Sequence, residues 1–387
     1  MAFDLSIGEL MIISLFFITG LNCALTYFCC SKSLNILEDD KSLSKAINKL
    51  RKFDDYILSK VNLLIALVYF LLSYVFVSDL EVKSDYVFFL SCLMSFGFTL
   101  ITTFVSRLCY CYTCNVLLET ELSEIECLVV NFKRLLMVYL PFIVISVIVP
   151  TIYLIEIPLL YSNIVCGACL FVILIIWILL TPKIMIFNYS AKRINDNSAL
   201  KYRLDQMMLM HDIKRYKIYI WDTSRSKEDN AMVAGVFVYH LFISSSLVEN
   251  VTLPELETVI THEIGHIKNN HLIKKMIGKF FIIMPLGLIV IMPNILDFSG
   301  LNKALVYLLV VLLSGLGILI SIAVERKYEM EADLYVSRYN DPDLFESALK
   351  KISKYEEDST DKVDELFQSH PSIQSRINSV KKEKKKN

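Results

Sequence analysis

Long apolar stretches with almost no charge constrain this chain more than any other feature of its sequence. A helix that crosses a lipid bilayer needs roughly 20 such residues. Stretches of about that length cover residues 7–29, 61–80, 86–107, 135–155, 158–181, 277–298 and 301–324. Of 387 residues, 55% are hydrophobic and only 20% are charged, which agrees with a chain largely within the membrane. The sequence therefore predicts a mainly α-helical, multi-span membrane protein with about seven spans.

Basic residues are concentrated in alternate loops between these stretches. The first, third and fifth loops and the C-terminal segment hold most of them, whereas the second loop has only Lys83 and the fourth has none. Loops rich in lysine and arginine stay on the cytoplasmic side. We therefore expect the N-terminus outside and the basic loops and the C-terminus in the cytoplasm. Either a bacterial cytoplasmic membrane or the endoplasmic reticulum fits this orientation.

Two polar regions are long enough to hold a chemical site, and both are predicted on the cytoplasmic side. We divide the chain into a membrane region at 1–182, a polar region at 183–276, a two-span hairpin at 277–324 and a polar tail at 325–387. The charged loop at 32–60 is either one amphipathic helix near the membrane surface or a hairpin of two helices. Residues 218–221 and 236–243 are rich in β-branched and aromatic side chains, which predicts strands.

Composition also excludes some partners and frameworks. The net charge of −1 gives no bias toward nucleic acid, so we expect the lipid bilayer as a partner and no nucleic acid. The ten cysteines lie between Cys23 and Cys169 and do not form the pattern of a secreted disulfide framework. Cys109, Cys111 and Cys114 suggest a metal site, but free cysteine is also a common small apolar residue. The sequence leaves the oligomeric state open.

The motif His262-Glu263-Ile264-Gly265-His266 is the strongest chemical signal in the chain. Residues 252–255 before it form a capping-box pair with proline in the first turn, which predicts a helix start. On a helix, His262 and His266 project from one face and can bind one zinc ion. Glu263 is turned ~100° from His262 and is predicted to act as the catalytic general base on the attacking water.

A catalytic zinc site needs a third protein ligand, and the segment after the last span offers one. We predict Glu329 as that ligand, with Glu331 as a weaker candidate. Asp333 lies one turn after Glu329 and is placed to accept a hydrogen bond from a ligating imidazole. Gly265 and Ala332 are small, which would let the two helices approach closely. The sequence thus predicts one Zn²⁺ per chain.

These motifs resemble the HtpX and CAAX prenyl protease family of integral membrane zinc metallopeptidases. The resemblance rests on residues 262–266, 329–333 and 370–377, and His271 is similar to the prenyl-protease branch, which has seven spans. It implies a gluzincin-like α+β metallopeptidase domain on the cytoplasmic side. It also implies that the spans form a helical barrel around a chamber, with the zinc site at its mouth.

The resemblance further implies a substrate-binding edge strand. Asn230, Ala231, Ala234 and Gly235 are expected along this edge, where a peptide would add as a further strand. For Asn230, the role of an ordinary turn residue remains open.

Several other polar residues are candidates for the site or its surroundings. His370 is expected to donate to the oxyanion of the reaction, although it is also a plausible helix-start residue. Arg376 either pairs with a site carboxylate or is solvated. His211 and His240 are expected to be structural.

The sequence thus predicts a zinc metalloendopeptidase that cleaves membrane-associated peptides or proteins at the cytoplasmic face. Its substrates would be damaged membrane proteins or C-terminally processed, lipid-modified proteins. One alternative is a sensor-transducer protease of the BlaR and MecR type, which the short extracellular loops disfavour. The other is an inactive membrane scaffold or transporter, which the scarcity of charged residues within the spans disfavours.

Overall fold

The computed structural model describes residues 7–40, 42–53, 62–80, 84–118, 159–278, 301–353 and 371–385, with isolated positions between 123 and 152. The predicted spans at 135–155 and 277–298 lie almost wholly outside these residues, as does His370. Within the described ranges the helices are α1 (Ile7–Asp40), α2 (Leu43–Phe53), α3 (Asn62–Asp79), α4 (Ser84–Leu118), α5 (Leu159–Asn188), α6 (Ala199–Met210), α7 (Ser245–Asn250), α8 (Leu253–Lys268), α9 (Leu301–Tyr339), α10 (Pro342–Ile352) and α11 (Ile373–Lys384). Residues 271–278 are also helical.

A small mixed sheet lies among these helices. Its strands are β1 (Lys192–Arg193), β2 (Tyr216–Trp221), β3 (Ala231–Ala234) and β4 (Tyr239–Ser244), in the order β1-β2-β4-β3. β2 and β4 are parallel, whereas β1 and β3 are antiparallel to their neighbours. The predicted start of the strand at 236–243 was wrong. Gly235 has a φ of +94°, so the chain turns there and β4 begins only at Tyr239.

The membrane helices pack with polar groups between them and apolar side chains outward. The Tyr69 hydroxyl of α3 lies 2.8 Å from the hydroxyls of both Thr19 and Thr102, on α1 and α4. Two turns further along α1, the hydroxyls of Thr26 and Ser106 are 3.0 Å apart. Large exposed apolar side chains on these helices include Phe16, Phe17, Phe28, Phe171 and Ile176. Apolar outer surfaces and hydrogen bonds between helices are typical of helices packed in lipid.

Three helical segments in the described part of the chain are long and apolar enough to cross a membrane. They are Glu9–Glu38, Leu93–Leu117 and Gly167–Asn188, and a shorter apolar helix covers Val68–Val77. The protein is therefore mainly helical with several candidate spans. The count of about seven spans and the helical barrel remain predictions.

The charged loop at 32–60 forms two helical pieces over its described residues. α1 continues to Asp40, well past the predicted end of the first span, and α2 follows after a short break. Ala46, Ile47 and Leu50 on one face of α2 are buried in a cluster with Cys30 and Leu117. Of the two interpretations of this loop, the pair of helices agrees better with the structure.

The core of the polar region lies between the sheet and the motif helix α8. Ile260 and Ile264 on one face of α8 share a buried cluster with Ile218 of β2 and with Leu241 and Ile243 of β4. Because residues four apart share a helix face, this packing fixes the rotation of α8 about its axis. The histidines on its other face are thereby turned away from the sheet.

The start of α8 is held by Glu255. Its carboxylate accepts the Thr252 backbone N–H at 2.7 Å, which is the predicted capping interaction. It also accepts bonds from Ser347 at 2.5 Å and from Lys351 at 2.6 Å on α10. Burial opposes ionisation, but the bonds from Lys351, Ser347 and Thr252 lower the pKa of Glu255 to about 2. One carboxylate thus anchors the motif helix to α10.

A single long helix carries the second half of the site. α9 runs without interruption over 39 residues, so it is about 58 Å long and carries residues 329–333 far beyond the predicted span end at 324. Near its C-terminal end α9 packs against α10 and α11 through a buried cluster of apolar residues. The cluster contains Val336, Phe345, Leu349, Ile377 and Val380.

Candidate metal centre

Two histidines of α8 and one glutamate of α9 converge on one point. The Nε2 atoms of His262 and His266 are 3.2 Å apart. His262 Nε2 lies 3.4 Å from Glu329 Oε2, and His266 Nε2 lies 3.4 Å from Glu329 Oε1. All three side chains are buried. Among the described residues, this is the one group of three histidine, cysteine or acidic side chains whose ligand atoms converge for a metal ion.

The spacing of these atoms fits a tetrahedral zinc site. Zinc binds imidazole nitrogen and carboxylate oxygen at ~2.0–2.2 Å, so two tetrahedral ligand atoms stand about 3.3–3.5 Å apart. The observed separations of 3.2 and 3.4 Å are close to this value. The donor set of two imidazoles and one carboxylate is also one that catalytic zinc sites use, with a fourth position open.

The two halves of the site meet because the helices touch at small residues. A Cβ atom added to Gly265 would lie 3.0 Å from the Cα of Ala332 and 3.1 Å from the Cβ of Tyr335. Ala332 is fully buried. Any larger residue at either contact must push α9 outward, and Glu329 lies less than one turn before Ala332.

Asp333 holds His262 and is itself held by α11. The Nδ1 atom of His262 lies 2.9 Å from one oxygen of Asp333, although off the line of a regular hydrogen bond. Arg376 of α11 donates two bonds of 2.8 Å to the two carboxylate oxygens of Asp333. A carboxylate beside the second nitrogen of a ligating histidine fixes its tautomer and ring orientation. Arg376 is therefore paired with a buried site carboxylate rather than solvated.

The protonation states of the site follow from burial and neighbouring charge. Burial, and then the adjacent His262, lowers the pKa of His266, which favours the neutral imidazole that binds metals. Burial opposes protonation of His262, but Asp333 and Glu329 outweigh it and raise its pKa. Burial likewise opposes ionisation of Asp333, but Arg376 lowers its pKa, so this carboxylate is charged.

The structure also gives positions for most of the remaining predicted site residues. Glu263 follows His262 on α8 and is only 9% exposed. Ala231 and Ala234 are the first and last residues of β3, which contacts α8 and lies at one edge of the described sheet. Asn230 and Gly235 flank that strand. The roles given to these side chains stay predictions, as does that of His370.

His211 and His240, which were predicted to be structural, make contacts away from the metal group. His211 Nδ1 is 2.8 Å from the Tyr335 hydroxyl, and His240 Nδ1 is 3.0 Å from the Val238 carbonyl oxygen.

Sequence reasoning missed the surroundings of His266. His271 Nδ1 lies 2.9 Å from His266 Nδ1, and His271 Nε2 lies 2.8 Å from Glu331 Oε2. Lys275 Nζ lies 3.5 Å from Glu329 Oε1. The sequence signal for this group was the presence of three of the six histidines within ten residues, at 262, 266 and 271.

Comparison with known proteins agrees with this geometry. Residues 195–384 match the model of Peptidase family M48. The chain carries a family M48 peptidase domain. It is 27% identical over 235 residues to a protease HtpX homolog from Dictyoglomus turgidum, covering 50% of this chain and 73% of that protein. It is 26% identical over 258 residues to a protease HtpX homolog from Helicobacter pylori, covering 55% of this chain and 77% of that protein.

The fold of the chain is similar to that of a solved protein. The crystal structure of S. mikatae Ste24p matches with a TM-score of 0.60 and 16% sequence identity, over 97% of this chain and 99% of that one. The resemblance to the HtpX and CAAX prenyl protease family is therefore confirmed. The M48 domain makes the protein a metallopeptidase, and zinc is the metal that its motif and ligand set imply.

The close contact between α8 and α9 leads to a test. Ala332→Leu should lower zinc affinity by at least 10-fold, because the larger side chain displaces Glu329 while touching no ligand atom. Ala323→Leu is the matched control, since Ala323 is exposed on the same helix. Zinc affinity measured by chelator competition on both purified variants decides the point. Equal, wild-type affinities would show that this contact does not position Glu329.

Proposed function

We propose that this chain is an integral membrane zinc endopeptidase that hydrolyses membrane-associated proteins at the cytoplasmic face. One zinc ion would be held by His262, His266 and Glu329, with Glu263 as the general base. The observation that carries the proposal is the convergence of two imidazole nitrogens and the Glu329 carboxylate, at separations that suit zinc, within residues that match Peptidase family M48. Apolar helices long enough to cross a membrane, together with the long helix α9 that runs into that domain, support a membrane-associated substrate.

The chemistry follows from the residues around the ligands. A bound zinc ion lowers the pKa of a coordinated water toward ~7 and polarises a peptide carbonyl. Glu263 cannot share the ligand position of His262, because the next residue on a helix is turned by about 100°. Its carboxylate is instead placed to take the proton of the attacking water and to pass it to the leaving amine. Asp333, held by Arg376, keeps His262 in the tautomer that binds metal through Nε2.

The edge strand β3 is the proposed binding site for the substrate backbone. The Ser244 N–H donates to the Asn230 carbonyl at 3.0 Å, so these two residues form a hydrogen-bonded pair. Such pairs alternate along antiparallel strands, so the backbone groups of Ala231 and Val233 point away from β4, toward the sheet edge. An extended peptide can add there as a fifth strand, beside the motif helix.

The proposed orientation is supported by contacts between predicted cytoplasmic segments. Arg225, in the fifth loop, forms an ion pair with Glu126, in the third. Glu329, in the tail, lies 3.4 Å from His262 of the motif helix, in the fifth loop. Segments that form one site must lie on the same face of a membrane, so the third loop, fifth loop and tail share one side. The excess of basic residues in these segments favours the cytoplasmic side.

The catalytic role of Glu263 can be separated from metal binding. Glu263→Gln should reduce peptide hydrolysis by roughly 10²–10⁴-fold, because the amide accepts no proton, while the zinc content stays near one per chain. Glu329→Gln should instead weaken zinc binding. Glu249→Gln, an exposed position on α7, is the control. Hydrolysis of a fluorogenic peptide measures activity, and elemental analysis measures zinc content. An active Glu263→Gln enzyme would refute the general-base role.

The edge strand can be tested with proline. Val233→Pro should raise KM by about 10-fold, since it removes a backbone N–H that points to the substrate and not to β4. Val233→Ala keeps the N–H and should leave KM near the wild-type value. Steady-state kinetics on both variants distinguish the backbone from the side chain. If Val233→Pro keeps the wild-type KM, the substrate does not pair with this part of β3.

Orientation is tested by labelling single cysteines in a cysteine-free background. Ser226→Cys and Ser379→Cys should be protected from a membrane-impermeant maleimide in intact cells and react after permeabilisation. Lys83→Cys and Gly300→Cys should react before permeabilisation. Opposite accessibility at 226 and 379 would contradict the shared side of the two polar regions.

A further inference from the structure

The second nitrogen of His266 does not face a carboxylate. His262 has Asp333 beside its Nδ1, which is a common arrangement for a metal-binding histidine. The Nδ1 of His266 instead faces a second imidazole, that of His271, at 2.9 Å. His271 is fully buried, and its Nε2 lies 2.8 Å from Glu331. A series of polar contacts therefore runs from the predicted ligand His266 through the His271 imidazole to the Glu331 carboxylate.

A local turn brings His271 to this position. On an unbroken helix, a residue five positions after His266 would stand about 140° round the axis from it. α8 ends at Lys268, and Asn270 adopts the left-handed region with a φ of 56°, a conformation that asparagine tolerates better than most residues. The chain is helical again from His271. This turn redirects His271 back against His266.

A neighbouring aromatic ring then holds His271 in place. The Tyr328 ring on α9 stacks on it, with centroids 4.5 Å apart and an angle of 16° between the planes.

The hydrogen bonds that link His266, His271 and Glu331 are consistent with only one set of proton positions. If His266 binds a metal through Nε2, its proton is on Nδ1 and must be donated to His271 Nδ1. His271 Nδ1 must then be unprotonated, so the proton of this neutral ring is on Nε2. That proton is donated to Glu331, which is an acceptor when ionised. Each donor thus meets an acceptor, and each step fixes the next tautomer.

We propose that His271 and Glu331 are positioning residues that orient His266 toward the metal. This inference rests on the proposed zinc site, but it assigns to Glu331 a role other than ligation. Glu331 is on the same helix as Glu329, yet two residues apart on a helix face different directions. α9 therefore supplies three residues to the site. Glu329 is the proposed ligand, Glu331 is the partner of His271, and Asp333 is the partner of His262.

The test measures zinc affinity by chelator competition and the visible spectrum of the Co²⁺-substituted protein, using the purified full-length chain. His271→Leu should lower zinc affinity by roughly 10–100-fold and change the Co²⁺ absorption bands, because His266 loses its orienting partner. Glu331→Ala should act in the same direction. His271→Gln should recover most of the affinity, since its amide can accept from His266 and donate to Glu331.

A double variant distinguishes a relay, in which Glu331 acts on His266 through His271, from independent effects of the two residues. Glu331 acts through His271, so His271→Leu combined with Glu331→Ala should bind zinc no more weakly than His271→Leu alone. Additive losses would overturn the relay, as would wild-type affinity and an unchanged Co²⁺ spectrum in Glu331→Ala. The Glu331 side chain is one-third exposed, so this variant remains informative if His271→Leu fails to fold.

Two controls address packing and surface charge. His211→Gln alters another buried histidine of the same domain and should leave the Co²⁺ spectrum unchanged. Lys327→Ala removes the exposed partner that lies 3.8 Å from Glu331 and should leave zinc affinity unchanged. If His211→Gln changes the spectrum as much as His271→Leu, the effect is general packing and the relay is refuted. A folded wild-type protein that binds neither zinc nor cobalt would instead refute the proposed metal site itself.

Discussion

The contact between Gly265 on α8 and Ala332 on α9 is the constraint on which the rest of the site depends. His266 and Glu329 lie 63 positions apart in the sequence, and the crossing of α8 and α9 brings them together. A Cβ at Gly265 would already lie 3.0 Å from Ala332 Cα, so the helices are as close as their backbones allow. Metal sites tolerate displacements of only ~0.2 Å in ligand distance. Small residues at the crossing therefore act on metal binding without touching the metal.

The electrostatics of the centre follow from the same crossing. α9 buries Glu329 and Asp333 beside two imidazoles, and buried charges are costly unless each has a partner. Arg376 supplies that partner for Asp333 through two bonds, and Lys275 lies 3.5 Å from Glu329, whose carboxylate would also bind the metal ion. The tail helix α11 is therefore part of the site although it supplies no ligand. Its apolar residues pack on α9 and α10, which fixes the position of Arg376.

Much of the site could be predicted from the sequence because helix periodicity determines it locally. The spacing of His262 and His266 and the capping residues near Thr252 depend only on neighbours in the chain. His271 could not be placed in the same way, because its position depends on the left-handed backbone at Asn270. The start of β4 was missed for a similar reason at Gly235. Single residues at positive φ redirect the backbone, and the periodicity of apolar residues in the sequence does not predict where they occur.

The most direct test of the account is X-ray absorption at the zinc edge of the purified, full-length protein. The account predicts a four-coordinate shell of nitrogen and oxygen at ~2.0–2.1 Å, with the outer-shell scattering of two imidazoles. Glu329→Gln should alter the first shell, whereas Ala323→Leu should not. A sulfur ligand at ~2.3 Å would point to the cysteines instead. Scattering from three imidazoles would make His271 a ligand, and either result would contradict the account.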